Sequence, residues 1–216
     1  MGIAAGLALV AGLIILCWPS DRALRSQLKS SDANKRLDAV NQLSAEGSNA
    51  SAQAIVPMIQ DSDSRVASRA VHAVAFSQLP QRAQHVRQAM SDQRAEVREA
   101  AAAAAGACGT PADAQTLTGV LSSREDPKVR AAAAQSLGHL LAYDSLPALV
   151  EALDDPDEEV RGRAGAAVRA LFSNRDMGYR ADDPPQQRAE AVRKIRQWYP
   201  AIQRERPALG ARENNR

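Results

Sequence analysis

Four aspartates, Asp32, Asp63, Asp126 and Asp157, stand in register along this 216-residue chain, and three histidines, His72, His85 and His139, are scattered among them. Carboxylates and imidazoles are the groups that most often move protons in catalysis, and both ligate metals. Such chemistry needs them in company. No histidine is followed by glutamate, and Cys17 and Cys108 lie far apart with no metal-ligand spacing. Neither a glycine-rich phosphate loop nor a nucleophile elbow occurs. The sequence therefore predicts no catalytic, cofactor-binding or metal-ligating residue, and the aspartates need another explanation.

Their spacing supplies one. Val66, Val97, Val129 and Val160, with Lys35 at the equivalent first position, mark a pattern that returns after 31, 31, 32 and 31 residues. Four residues after each marker comes an alanine (Ala39, Ala70, Ala101, Ala133, Ala164), and eight after it an apolar residue (Leu43, Val74, Ala105, Leu137, Val168). Upstream lie apolar pairs spaced i, i+4: Leu24 with Leu28, Ile55 with Ile59, Val86 with Met90, Leu117 with Leu121 and Leu149 with Leu153. Both stripes have helical period, so each unit is a hairpin of a first helix, A, and a second, B. The one extra residue, between the third and fourth markers, falls in the A–B turn. Units this small cannot bury a core alone and must stack on their neighbours. The aspartates stand three before the marker, with Arg94 replacing one of them. A carboxylate there caps helix B by accepting a hydrogen bond from an unpaired first-turn amide. Pro127 after Asp126, and Glu158 with Glu159 after Asp157, suit the same helix start.

Asp-Pro-Asp-Glu-Glu-Val-Arg at 155–161 followed by Ala164, and Asp-Pro-Lys-Val-Arg at 126–130 followed by Ala133 and Leu137-Gly138, resemble HEAT repeats. The likeness is to the short subclass first associated with phycobilisome lyases, and it covers roughly residues 21–173. It implies an armadillo-like all-α solenoid of about five repeats. It also implies a ladder between repeats, in which an acidic residue before the marker pairs with the basic residue after it, at positions matching Asp92 with Arg98 and Asp155 with Arg161. Ala67, Ser30 and Arg124 depart from that pattern, so the ladder is expected to be incomplete at the second repeat and weakened near the fourth.

Aromatic residues make up only 3% of the chain, too few for a compact globular core but suited to thin layers of Ala, Leu and Val. The run Ala100 to Ala105 has high helix propensity and lets helices approach closely. Cys108 is expected as a small, partly buried residue near the end of a B helix. Gly2 to Trp18 is an uncharged, largely apolar stretch at the lower edge of bilayer-spanning length. It lacks the basic start and small-x-small site of a cleaved signal, and Leu16 precedes Cys17 where a lipoprotein needs a small residue. Residues 1–20 are therefore expected as an uncleaved, single-pass membrane anchor. The basic residues that follow it favour a cytoplasmic repeat domain, with the periplasmic side open as the alternative.

After the fifth repeat, 174–183 reads as a loop and Asp183-Pro184 opens a last helix that ends at Pro200. Ala191, Ile195 and Trp198 face inward on it, and Arg188, Lys194 and Arg196 outward. Residues 174–203 thus form a loop and capping helix, and 204–216 a disordered basic tail. The Gly-Tyr loop, Pro-Pro and basic helix ending in Trp-Tyr resemble tails of bacterial HEAT proteins. Residues 21–183 carry 19 basic and 22 acidic side chains, residues 184–216 carry 8 and 3. A net acidic repeat region argues against a nucleic-acid groove.

Stacked solenoids offer surfaces for holding something. The resemblance to HEAT solenoids implies that the B helices line the concave side, and the positions three, six and ten after the marker there include Arg69, His72, Phe76, His139 and Arg163. An aromatic flanked by arginine and histidine has the composition of a contact hot spot. Phe76 either contacts a partner or packs on the next repeat, and the arginines either bind or form a solvated face. The sequence is read as a membrane-tethered scaffold or adaptor for a protein partner, without catalysis. The alternative, implied by the resemblance, is a bilin-lyase-like enzyme subunit acting on a tetrapyrrole-carrying protein.

Overall fold

The computed structural model describes residues 21–172 and 176–213. The first hairpin pairs α1 (Asp21–Gln27) with α2 (Ala33–Glu46), the second α3 (Asn49–Ile55) with α4 (Ser64–Ala75) and the third α5 (Arg82–Ala89) with α6 (Ala95–Cys108). The fourth joins α7 (Pro111–Leu121) to α8 (Pro127–His139), and the fifth α9 (Leu146–Glu151) to α10 (Glu158–Leu171). The last helix is α11 (Pro185–Glu213). Helices α3 and α9 close with single tight turns, Val56–Gln60 and Ala152–Asp154. The described residues contain no strand. The predicted apolar N-terminal helix lies outside them, and no described helix is long and apolar enough to cross a membrane.

The two stripes read from the sequence are the core. Leu24, Ile55, Val86, Leu117 and Leu149 of the A helices are at most 1% exposed, as are Ala39, Ala70, Ala101, Ala133 and Ala164 of the B helices. Small residues let the B helices meet backbone to backbone. A Cβ on Gly138 of α8 would come within 2.8 Å of the Ala167 Cα on α10. Ser136 of α8 donates its hydroxyl to the Ala102 carbonyl of α6 at 2.6 Å and accepts from the Gly106 amide at 3.1 Å. The B helices thus pack on one another along the stack, while neighbouring A helices scarcely touch. The closer layer is the inner one, so the B face is the inner face of the stack. Cys108 is buried at the end of α6, as expected, and burial pushes its thiol pKa up.

All four aspartates are caps. Asp32 accepts from the Asn34 amide at 2.9 Å, Asp63 from Arg65 at 2.9 Å, Asp126 from Lys128 at 2.9 Å and Asp157 from Val160 at 3.1 Å. Each satisfies an amide that the helix leaves unpaired.

The ladder corrects the expectation of a gap. Arg36, Arg98 and Arg130 each reach forward from one repeat to a carboxylate of the next: Asp61 at 2.7 Å, Glu125 at 2.6 Å and Asp155 at 2.8 Å. Their second arm returns to their own repeat, to the carbonyls of Ser30, Asp92 and Glu125. Asp92 therefore gives Arg98 only its carbonyl, and Arg161 bonds the carbonyls of Asp155 and Ala181 rather than the Asp155 carboxylate. At the fourth repeat the inserted residue shifts the acid by one, and Glu125 serves in place of Arg124. At the second repeat Ala67 leaves the rung without its arginine, and Arg94 supplies it from the other side. Arg94 forks onto the Asp92 carboxylate, with both bonds at 2.9 Å, and its remaining arm reaches the Asp61 carbonyl. These are the contacts an arginine at 67 would make. The rung is reversed, and the residue lost as an N-cap is the one gained as a cross-link.

The tail covers the open end. Met177, Tyr179, Ala191, Val192 and Ile195 are buried against the fifth hairpin, and the Tyr179 hydroxyl donates to the Leu153 carbonyl. Three expectations for the tail change. Trp198 is 45% exposed rather than inward. Arg188 turns inward and donates to the Asp183 carbonyl at 2.7 Å, anchoring the start of α11. The helix runs on through Pro200 and Pro207 to Glu213 instead of ending at Pro200. Each proline removes one backbone bond, but the Ala, Gln, Arg and Glu residues between and around them are strong helix formers that carry the helix past both.

Candidate protein-binding surface

The inner face is built from residues that point away from the core stripe of each B helix. Between α4 and α6 it opens into a groove of about 320 Å³. Arg65, Ser68 and His72 of α4 form one wall, and Glu96, Glu99 and Ala103 of α6 the other. Ser68 ties the walls together by donating to the Glu96 carbonyl at 3.1 Å. Arg65 is engaged within its own repeat by a fork onto Asp63, whose carboxyl it holds down at about 2. Burial, and then the charge of Arg69, push the His72 pKa below the usual histidine value, so this imidazole is neutral at pH 7.

The five residues singled out in the sequence all lie on B helices but do not form one cluster. His72 lines the groove, with Arg69 one turn earlier, half-buried and donating Nε to Asn41 at 2.5 Å. Phe76 stands at the end of the same helix, 70% exposed, so it does not pack into the next repeat. It borders a second hollow of about 110 Å³, floored by Leu43, Ile55 and Ala73. His139 is exposed at the end of α8, across from Gly106 of α6, where a Cβ would meet its Nδ1 at 3.0 Å. Arg163 lies apart on α10, exposed and 3.3 Å from Glu159.

Sequence reasoning passed over Arg65, Ser68, Glu96 and Glu99. They occupy the positions one before and two after the marker. With 3.6 residues per turn those positions and the sixth fall within about 60° of each other, opposite the buried stripe. The periodicity that gave the core thus contained this signal as well. Among the described residues no three metal-ligating side chains converge.

Five stacked hairpins with caps, inter-repeat ladder and sealed end define an α-solenoid. The sequence profile of HEAT repeats matches residues 22–106, 82–138 and 114–176, well over half of the chain, and the chain belongs to the HEAT-repeat family. No curated protein matches it in sequence. Among solved structures it is similar to a chain of the complex of CpcE and CpcF of phycocyanin lyase from Nostoc sp. PCC7120. That likeness has a TM-score of 0.61 at 18% identity over 73% of this chain and 69% of the other. It is also similar to an engineered protein, with a TM-score of 0.52 at 16% identity over 83% and 96% of the two chains. A designed armadillo repeat protein in complex with the peptide (KR)4 gives 0.51 at 17% identity over 82% and 98%. These likenesses establish the fold.

Proposed function

We propose that this chain is a scaffold that holds a protein partner on its B-helix face and carries out no chemistry of its own. The observation that carries this reading is the state of that face. It is continuous across the stack, opens into a groove, and presents Phe76 at 70% exposure, although a solenoid with so few aromatics has every reason to bury one. Two of the structural relatives are themselves complexes, one of CpcE with CpcF and one of a designed repeat protein with a peptide, which is consistent with a binding role. The test is capture of a partner by residues 21–216 with and without Arg69→Glu and Arg163→Glu. The double reversal should weaken capture and leave the melting temperature nearly unchanged, because Arg69 loses one side-chain bond and Arg163 one exposed ion pair. Undiminished capture would move the site off this face.

We further propose that residues 1–20 tether the scaffold to a membrane, with the repeats on the cytoplasmic side. The support is the uncharged apolar run Gly2–Trp18 and the basic residues that follow it. The full chain should resist carbonate extraction from membranes, and a protein starting at Asp21 should be released. The rival reading, a bilin-lyase-like subunit, draws on the likeness to the phycocyanin-lyase complex. It requires that purified protein accelerate attachment of an open-chain tetrapyrrole to an acceptor protein, seen as a shift in visible absorption.

A further inference from the structure

The two edges of the stack carry very different charge. On one edge lie the A–B turns, residues 28–32, 61–63, 90–94, 122–126 and 155–157, in which 11 of 21 residues are charged. On the other lie the linkers between hairpins, residues 47–48, 76–81, 109–110 and 140–145, in which Asp144 is the only charged residue of 16. The charges that flank these linkers are turned back into the fold. Glu46 accepts from the Ser51 hydroxyl, and Arg82 donates to the Ser77 carbonyl. Asp113 is 2% exposed, accepts from the Thr110 amide at 2.7 Å and pairs with Arg87. Linker amides are bonded locally too, Leu79 to the Ser77 hydroxyl at 3.2 Å and Gly109 to the Ala105 carbonyl at 2.7 Å. An edge built this way loses little when water is withdrawn from it, because few charges and few free donors have to be stripped of solvent.

The chain also enters the fold at this edge. Helix α1 runs antiparallel to α2, so its start at Asp21 lies beside the end of α2 at Glu46 and not beside the A–B turn. The apolar run ends at Trp18, and Pro19 and Ser20 alone separate it from α1, a bridge of no more than about 10 Å even fully extended. We propose that the linker edge of the solenoid lies against the lipid headgroups of the membrane that residues 1–20 enter. The proposal rests on the tether reading and adds to it the side of the solenoid that meets the bilayer. The short bridge holds the linker edge of the first hairpin at the surface, and the scarcity of charge lets the following linkers settle beside it. The charged turns then point away from the bilayer, and the inner face rises from it. Phe76 stands where that face meets the linker edge, so a partner held there is held next to the membrane.

The test places the full chain in phosphatidylcholine vesicles doped with a lipid that carries a nitroxide quencher on its headgroup. Cys17→Ala and Cys108→Ala remove the native thiols. A fluorophore is then attached singly at the linker edge, to Gln78→Cys or Ala107→Cys, or at the turn edge, to Ser62→Cys, Gln93→Cys or Ser122→Cys. All five positions are exposed, and those at each edge come from different hairpins, so one variant that fails to fold does not cost the comparison. The linker-edge labels should lose roughly half of their emission, whereas the turn-edge labels, a B-helix length of about 20 Å further out, should lose almost none. Equal quenching at the two edges, or stronger quenching at the turns, would overturn the proposal. So would unquenched labels at both linker positions on a chain that floats with the vesicles, a result that leaves the tether standing. A chain that does not float with them would remove the tether and this orientation together.

Discussion

At the turn edge of the stack the carboxylates of Asp61, Asp92, Glu125 and Asp155 each meet a guanidinium, whereas on the inner face Glu96 and Glu99 meet none. Both sets of charges come from the same repeats and sit at fixed distances from the same markers. The difference lies in direction. A ladder side chain points along the stack axis toward the neighbouring repeat, where backbone carbonyls and a facing charge are within reach. The Glu96 and Glu99 side chains point away from the layer into solvent, where no guanidinium of the described residues reaches them. One edge is closed by the fold, and the other face is left open to solvent.

The largest effect should come from breaking a closed rung. Arg130 and Asp155 are 11% and 12% exposed, so Arg130→Ala strands a nearly buried carboxylate. A loss of about 3 kcal/mol is expected, which at roughly 2–4 °C per kcal/mol lowers the melting temperature by about 6–12 °C. Urea unfolding of residues 21–216 measures it. A loss below about 0.5 kcal/mol would make the ladder ornamental and remove the contrast.

The reversed rung sharpens it. Ala67→Arg alone places a second guanidinium at Asp92 and should cost about 2 kcal/mol by overpacking. Arg94→Asp alone should cost a similar amount by leaving Asp92 facing a like charge. The double variant restores a forward rung together with the missing N-cap, and its stability should return to within about 1 kcal/mol of the parent, a strong favourable coupling. Simple additivity of the two losses would show that Arg94 does not stand in for the missing arginine.

Acid probes three rungs at once. The hydrogen bond from Arg36 holds Asp61 below the usual carboxylate value, Arg94 does so for Asp92 and Arg98 for Glu125. Depressed folded values mean that this stability is fully present above the unfolded carboxylate range near pH ~4. It is lost as pH falls through that range toward the lower folded values. The urea midpoint should therefore drop below pH ~4, and Arg98→Ala should flatten part of the drop. An equal drop in that variant would assign the acid sensitivity to other groups. The smallest expected effect is on the inner face: Glu96→Gln with Glu99→Gln should change stability by less than about 0.5 kcal/mol, since nothing in the fold depends on either carboxylate.

How far these regions were legible in the sequence follows the same division. The stripes, the caps and the hairpin count are repeated five times or nearly so, and repetition made them readable: every marker valine is buried and every interval aspartate is a cap. The ladder was readable where the motif was regular and misread where it was not. Arg94 looked only like a missing cap, because its role depends on the absence of an arginine 27 positions earlier, at Ala67. The inner face was half legible. Phe76 stood out as a lone aromatic among small residues, but Glu96 looks like an ordinary first-turn acid and Glu99 like a solvated one until the groove beside them and their missing partners are seen. Arg188 and Trp198 exchanged their expected orientations because the last helix docks on a single hairpin, with no repeated pattern to fix its phase.

The scaffold proposal puts the partner on the inner face and not on the outer. A photo-crosslinking amino acid introduced singly at Phe76, His139 and Arg163 on the B helices, and at Gln53, Gln84 and Glu151 on the outer A helices, tests this in the cell. All six positions are exposed, so every variant should fold. A discrete protein adduct is expected from the B-helix positions and none from the A-helix positions. Adducts confined to Gln53, Gln84 or Glu151 would contradict it.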